Sequence, residues 1–349
     1  MTASRGLQQR GAAGTSASVA EAKRPPETPG VTWRRKHILD LDDFTAEEVE
    51  LVLQTAAAMA QVLRRGIPRV PTLRGRTIVT LFYEASTRTR VAFELAAKAL
   101  SADVVSVAAQ TSSASKGESL VDTARTLRAM GADVIVMRHP SAGAPYLLAE
   151  QQEASVINAG DGWHAHPSQA LLDLYTLRQH LADLQGRKVV IVGDILHSRV
   201  ARSNVWGLTH AGAHVVLCGP PTLVPSDLGP GAGDPLGLPP VEVEPVLDRA
   251  LEAADVVMAL RLQRERQQAG LLTGIADYIK HYQVTASRLA RAKPGVLFMH
   301  PGPMNEGIEV APEVARGPHS MVEEQVSNGV AVRMALLYLI AGTQPRAPS

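Results

Sequence analysis

From Arg76 onward, short apolar and β-branched runs alternate with stretches of helical spacing. The runs are RTIVTLF (76–82), ADVVSV (102–107), ADVIVM (132–137) and ASVINA (154–159), then RKVVIVGD (187–194), AHVVLCG (213–219), ADVVMAL (254–260) and PGVLFM (294–299). Continuous apolar runs of this length fit strands buried on both faces. Their alternation with helices calls for parallel sheets joined by right-handed crossovers. Eight strand candidates in two groups of four predict an α/β chain of two doubly wound domains, each with a mostly parallel sheet flanked by helices.

Helix signals fill the gaps. Thr45-Ala46-Glu47-Glu48 has the capping-box pattern and opens a helix expected to run to about Arg65. Pro167–Leu181 falls between the two strand groups and is the natural connector, while a long apolar helix is expected over about Glu323–Ala341. Residues 1–32, rich in Ala, Gly, Ser, Thr and Pro, have no periodicity and read as a flexible arm. The expected division is a first domain over 33–168, a second over 169–322, and a terminal helix over 323–342. The Gly/Pro-rich stretch 219–240 is assigned no function.

Composition narrows the class. The 349 residues, with 45% hydrophobic and 20% charged content, are enough for two ordinary cores, and a net charge of +1 supplies no basic field for nucleic acid. Arginine clusters are therefore read as local substrate sites. No apolar run approaches a membrane span and none suits a secretion signal, so a cytoplasmic protein is expected. The single cysteine, Cys218, excludes an intrachain disulfide framework and sits in a strand-like run as a buried hydrophobe. Gly193-Asp194-Ile195-Leu196 follows a strand but lacks the spaced glycines that admit a pyrophosphate, which argues against a dinucleotide.

The densest chemistry lies at Phe82-Tyr83-Glu84-Ala85-Ser86-Thr87-Arg88-Thr89-Arg90, between a strand and a helix. Three hydroxyls on a first helical turn, beside free backbone N–H groups, favour a phosphate, and Arg88 and Arg90 can add bidentate hydrogen bonds. A simple Ser/Thr cap would need only one hydroxyl. Arg199 follows the strand RKVVIVGD, and Arg261 follows ADVVMAL. Both therefore fall at the carboxyl ends of strands, where open α/β sheets bind ligands.

Ser86–Arg90 resembles the carbamoyl-phosphate signature of the aspartate and ornithine carbamoyltransferases. SKGES, MRHP, DGWHAHPSQALLDLYT, GDILHSRVARSN, LRLQRERQ and MHPGPMNEGIEV are similar to further segments of the aspartate branch, in family order over about residues 33–342. The resemblance implies carbamoyl phosphate and L-aspartate as substrates, with no cofactor and no metal. It implies that Ser86, Thr87, Arg88 and Thr89 cradle the phosphate and that Thr89, Arg138 and His166 polarise the carbamoyl oxygen. Gln169, with the turn at Pro301 and Gly302, would bind the carbamoyl nitrogen. Arg199, Arg261 and Gln263 would clamp the carboxylates of aspartate. Ser112 and Lys116, in a polar loop that alone reads as solvated, would enter a neighbouring subunit's site. That arrangement implies a homotrimer with sites at subunit boundaries, in which Lys116 serves both substrates. A dihydroorotase-like or regulatory chain is a further candidate partner; no nucleic acid and no membrane are expected.

Other readings stay in view. His164 and His166, with Asp161 nearby, could be metal ligands, although no Cys, Asp or Glu at zinc spacing accompanies them. His164 otherwise reads as a loop residue, His139 as an orienting group, and Arg264 and Arg266 as solvated surface. Glu306 stands where many relatives carry a basic residue. The ornithine branch is marked by an Asp near a Ser-Met-Gly turn and by an H-C-L-P turn; this chain instead has LRLQRER and HPGP. A homologue that has lost catalysis is disfavoured because retaining unused buried cations is costly.

Overall fold

A computed structural model describes residues 32–108, 119–225, 238–239, 241–263 and 274–342. The elements of the first half are α1 (Ala46–Leu63), β1 (Thr77–Phe82), α2 (Thr87–Ala99), β2 (Asp103–Ala108), α3 (Leu120–Ala129), β3 (Val134–His139), α4 (Ala144–Glu150), β4 (Ser155–Asp161) and α5 (Pro167–His180). Those of the second are β5 (Lys188–Val192), α6 (Arg199–His210), β6 (His214–Cys218), β7 (Glu242–Val243), α7 (Leu247–Ala250), β8 (Val256–Ala259), α8 (Ile275–Tyr282), α9 (Ala286–Leu289), β9 (Leu297–Met299), α10 (Pro312–Ala315) and α11 (Val322–Leu337). Tyr338–Gly342 continues α11 as a π-turn.

Two wholly parallel sheets result, ordered β2-β1-β3-β4 and β7-β6-β5-β8-β9. All eight expected strands are present. The additional β7 pairs with β6 over only two residues, too short to leave a period in the sequence. Helices cover both faces of each sheet, which is why β8, Val-Val-Met-Ala, is buried along its whole length and reads as a continuous apolar run. The segment before α1 guards the edge of β4: Ile38 donates its N–H to the Val156 carbonyl at 2.9 Å, and its own carbonyl accepts from the Asn158 N–H at 2.8 Å.

The expected cap at Thr45 is fully formed, with its hydroxyl accepting from the Glu48 N–H and the Glu48 carboxylate accepting from the Thr45 N–H at 3.0 Å. Val49, Val52, Ala56 and Met59 then fall on one buried face of α1, at helical spacing. That face packs on α11, which also lies against α2 and α5. The terminal helix is thus embedded among helices of the first half. Cys218 is buried, and its thiol is pushed up to about 12 by burial.

Each sheet has a point where the strand order reverses, between β1 and β3 in the first and between β5 and β8 in the second. The loops leaving neighbouring strands diverge there and open a crevice at their carboxyl ends. The two crevices meet in a single cleft.

Candidate active site

The cleft encloses about 740 Å3, with walls from both halves of the chain. The loop after β1 and the first turn of α2 supply Glu84 and Ser86–Thr89, β3 supplies Arg138, and the start of α5 supplies His166 and Gln169. The second half contributes Arg199 after β5, Arg261 and Gln263 after β8, and Pro301 and Gly302 after β9. Of the expected site residues, the structure brings together all of those described except Arg90; Ser112 and Lys116 lie outside the described residues. Arg264, Arg266 and the arm up to residue 31 lie outside them too.

Ser86 takes the N-cap position of α2 in extended backbone, yet its side chain makes no capping hydrogen bond. Thr87, Arg88 and Thr89 form the first turn, where the N–H groups have no intrahelical partner. Arg88 is open to the cleft, and burial followed by the nearby Arg261 charge lowers its pKa. Gly302 makes room for it: its φ is +63°, and a Cβ built there would lie 3.0 Å from the Arg88 Cζ. Arg90 departs from expectation. It is not on the cleft wall and reaches toward Glu94, one turn along α2, at 3.7 Å.

Arg138 sits where the β3–β4 register slips between Met137 and His139, an irregularity that re-aims the end of the strand. Its Nη2 donates to Glu84 Oε1 at 2.9 Å. Arg199, buried on the first turn of α6, donates from Nη1 to Glu84 Oε2 at 3.0 Å and from Nη2 to Glu84 Oε1 at 2.9 Å, and its Nη1 also reaches the Gly162 carbonyl at 3.1 Å. Burial pushes the Glu84 carboxyl up, but hydrogen bonds from Arg199 and the charges of both arginines outweigh it and hold the group at about 2. Gly160 lets the two guanidiniums approach: with φ at +117°, it has no Cβ where one would stand 2.9 Å from Arg199 Nε and 3.3 Å from Arg138 Nη1. Glu84 lies within the motif, but nothing in the sequence pattern alone gives it a role.

His166 forms the N-cap of α5, buried, with its backbone N–H donating to Ser203 Oγ at 2.8 Å. Burial, then the charges of Arg138, Arg199 and Arg333, drive its pKa well below the usual histidine range. The ring is therefore neutral at physiological pH and offers one N–H donor. His164 turns the other way, with Nδ1 3.2 Å from Asp161 Oδ2 and Nε2 3.4 Å from Asp40 Oδ2, so the two imidazoles do not face a common ligand. Among the described residues no cluster of three or more His, Cys, Asp or Glu could hold a metal. His139 accepts the Ser141 N–H on Nδ1 at 3.0 Å and packs on the Tyr83 ring, as an orienting group would. Glu306 pairs with Arg316 at 2.8 Å.

Behind the cleft runs a polar network with no counterpart in the expected site. Asp173 accepts from Gln169, Gln325 and Asn204, and the Gln325 Oε1 accepts the His300 N–H at 3.0 Å. Arg333 is buried beside it, donating to the Gly329 carbonyl and lying over the Phe93 ring at 5.2 Å. The available signal was a lone charge inside an apolar helical run, LLDLYT for Asp173 and VAVRMALL for Arg333.

A hydroxyl-rich helix start on one half and two guanidiniums on the other thus face one cleft between two parallel α/β sheets. Residues 36–179 match the "Aspartate/ornithine carbamoyltransferase, carbamoyl-P binding domain" and residues 185–340 the "Asp/Orn binding domain". The chain belongs to the aspartate/ornithine carbamoyltransferase family and is a transferase. It is 59% identical over 309 residues to the aspartate carbamoyltransferase catalytic subunit of Roseiflexus sp. (strain RS-1), covering 88% of this chain and 96% of that one. It is 60% identical over 312 residues to that of Chloroflexus aggregans, covering 89% and 100%. Among solved structures, the aspartate transcarbamoylase of Trypanosoma cruzi in complex with N-(phosphonacetyl)-L-aspartic acid is similar at a TM-score of 0.79 and 30% identity, over 88% of this chain and 96% of that one. The ornithine carbamoyltransferase of Pyrococcus furiosus reaches a TM-score of 0.79 at 31% identity, over 90% and 100%.

Proposed function

We infer that the chain is the catalytic chain of an aspartate carbamoyltransferase: it moves the carbamoyl group of carbamoyl phosphate to the amine of L-aspartate, giving N-carbamoyl-L-aspartate and phosphate, an early step of pyrimidine biosynthesis. The observation that carries this reading is the convergence of the Ser86–Thr89 turn, Arg138, His166 and Gln169 with Arg199 and Arg261 around one cleft.

Ser86, Thr87 and Thr89, with the backbone N–H groups of the turn, hold the phosphate, and Arg88 meets the charge that builds on it as it leaves. Thr89, Arg138 and the neutral His166 donate to the carbamoyl oxygen. The uncharged amine of aspartate attacks the carbamoyl carbon; the new C–N bond forms, the C–O bond to phosphate breaks, and the amine's proton departs with the phosphate. Gln169 and the backbone carbonyls of the Pro301–Gly302 turn accept hydrogen bonds from nitrogen. Arg199, Arg261 and Gln263 hold the two carboxylates.

The working unit in this reading is a cytoplasmic homotrimer in which Ser112 and Lys116 of one subunit complete the site of the next, so that closure excludes water. A dihydroorotase-like or regulatory chain is the candidate for any larger assembly. The test is a carbamoylation assay of the purified chain with L-aspartate and with L-ornithine, run beside a native mass measurement. Turnover with aspartate alone, from a trimer, is the expected result; turnover with ornithine, or with neither, overturns the assignment.

A further inference from the structure

Gln169 lines the cleft, yet a glutamine amide has two nearly isosteric ends, one donating and one accepting. Which end faces the substrate decides what the site can read. The structure assigns Asp173 as the positioning residue that fixes this choice: it holds the Gln169 Nε2 at its back and so presents Oε1, an acceptor, to the carbamoyl NH2.

Asp173 Oδ1 accepts from Gln169 Nε2 at 3.0 Å and from Gln325 Nε2 at 2.7 Å, and Oδ2 accepts from Asn204 Nδ2 at 2.9 Å. Both outer donors are locked. Gln325 must keep its oxygen toward the His300 backbone N–H, at 3.0 Å, and Asn204 keeps its nitrogen toward the Val200 carbonyl as well, at 3.1 Å. Residue 173 therefore faces fixed donors on both sides, and only a group that accepts at both ends satisfies them. A carboxylate does; an amide cannot. With an acceptor behind it, Gln169 can turn only Nε2 inward, and its Oε1 takes no hydrogen bond from any described residue.

The carboxylate at the centre of the network is shut off from solvent. Asp173, Asn204 and Gln325 are all buried, with Asp173 and Asn204 at 0% exposure. Burial pushes the Asp173 carboxyl up to about 6 against its amide donors and Arg333, which leaves it ionised at pH 7 to 8. The same three donors come from α5, α6 and α11, and through Gln325 the carboxylate also braces His300, the residue before the Pro301–Gly302 turn. A site that reads an N–H this way rejects an analogue without one, because its buried acceptor is left unpaired.

This inference rests on the carbamoyl phosphate reading above. Acetyl phosphate, which has a methyl group in place of the amine, is the probe that separates the two. The experiment measures kcat/KM for carbamoyl phosphate and the competitive inhibition constant of acetyl phosphate in the wild type, in Asp173→Asn, and in the double variant Asp173→Asn with Asn204→Asp. In the single variant one locked donor loses its acceptor, the Gln169 amide is free to reverse, and kcat/KM for carbamoyl phosphate should fall about tenfold or more while acetyl phosphate inhibition moves less than about threefold. In the double variant an acceptor at position 204 draws the new amide nitrogen at position 173 toward itself. The new amide oxygen then turns back to Gln169 and Gln325, so discrimination should return. Parallel losses for both ligands in the single variant would mean general damage and overturn the assignment, as would unchanged discrimination. If Asp173→Asn does not fold, the double variant decides alone: folded and discriminating supports the assignment, folded without discrimination overturns it. A wild type that does not use carbamoyl phosphate would instead defeat the proposed function.

Discussion

Glu84 and Arg199 form a two-point ion pair, with Nη1 3.0 Å from Oε2 and Nη2 2.9 Å from Oε1, and it joins the loop after β1 to the first turn of α6. Arg138 shares the same carboxylate. A single acid thus gathers one cation assigned to the carbamoyl group and one assigned to aspartate. If Arg199 holds a carboxylate of aspartate as proposed, that carboxylate must share or take the guanidinium from Glu84, and the pair would couple substrate binding to the fit between the two halves.

The pH dependence of stability follows from that pair. Glu84 sits at about 2 in the fold, below its ordinary 4.5, so the unfolded chain binds more protons between those values. Its contribution is full above pH 4.5 and lost as pH falls toward 2. Glu84→Gln should therefore unfold at a lower temperature than the wild type at pH 7, with the gap narrowing once the pH drops below about 4.5 and closing only near pH 2. A gap that stays constant from pH 7 to pH 3 in differential scanning calorimetry would show that the pair does not stabilise the fold.

Arg88 sits on the first turn of α2 with its guanidinium against Gly302 and open to the cleft. Its effect should fall on the transition state, where charge grows on the leaving phosphate, and little on folding. Arg88→Ala is expected to lower kcat by orders of magnitude with an unchanged melting temperature. Retention of more than about a tenth of turnover, a loss of no more than roughly 1.4 kcal/mol, would remove Arg88 from the role given to it.

How much of this was legible follows from where each signal resides. Strands such as β8 could be read because burial on both faces writes itself as an unbroken apolar run, and Thr45 because a capping box is purely local. β7 could not, since two residues carry no period. Arg88 and Arg90 look equivalent in the motif, but two residues along a helix is about 200° around it, so one faces the cleft and the other the flank. The Glu84 pairing was hidden because its partners lie 54 and 115 residues away on other elements. Asp173 was visible as an odd charge in an apolar helix, but its meaning depends on Gln325, 152 residues distant.

The aspartate assignment rests on two guanidiniums facing one cleft, Arg199 from the switch-point strand β5 and Arg261 from its neighbour β8. A compound joining a phosphonate to an aspartate-like dicarboxylate should bind far more tightly than either fragment, because linking removes one association entropy and both halves can close on it. Its ornithine counterpart should bind poorly. Comparable calorimetric affinities for the two compounds would contradict the roles of Arg199 and Arg261.

The shared-site reading makes a demand that no single chain can meet. If Arg88 comes from one subunit and Lys116 from the next, two inactive variants, Arg88→Ala and Lys116→Ala, should restore activity when their subunits exchange. Around a closed ring every mixed trimer has a boundary where an intact Arg88 meets an intact Lys116, and another that carries both defects. The recovered sites should show the wild-type KM for both substrates, because they contain the complete constellation, and only the number of active sites should fall. Native mass spectrometry establishes that exchange has occurred. Mixed trimers without recovered turnover would mean that Lys116 serves its own chain or no site at all, and the boundary location of the site would have to be abandoned.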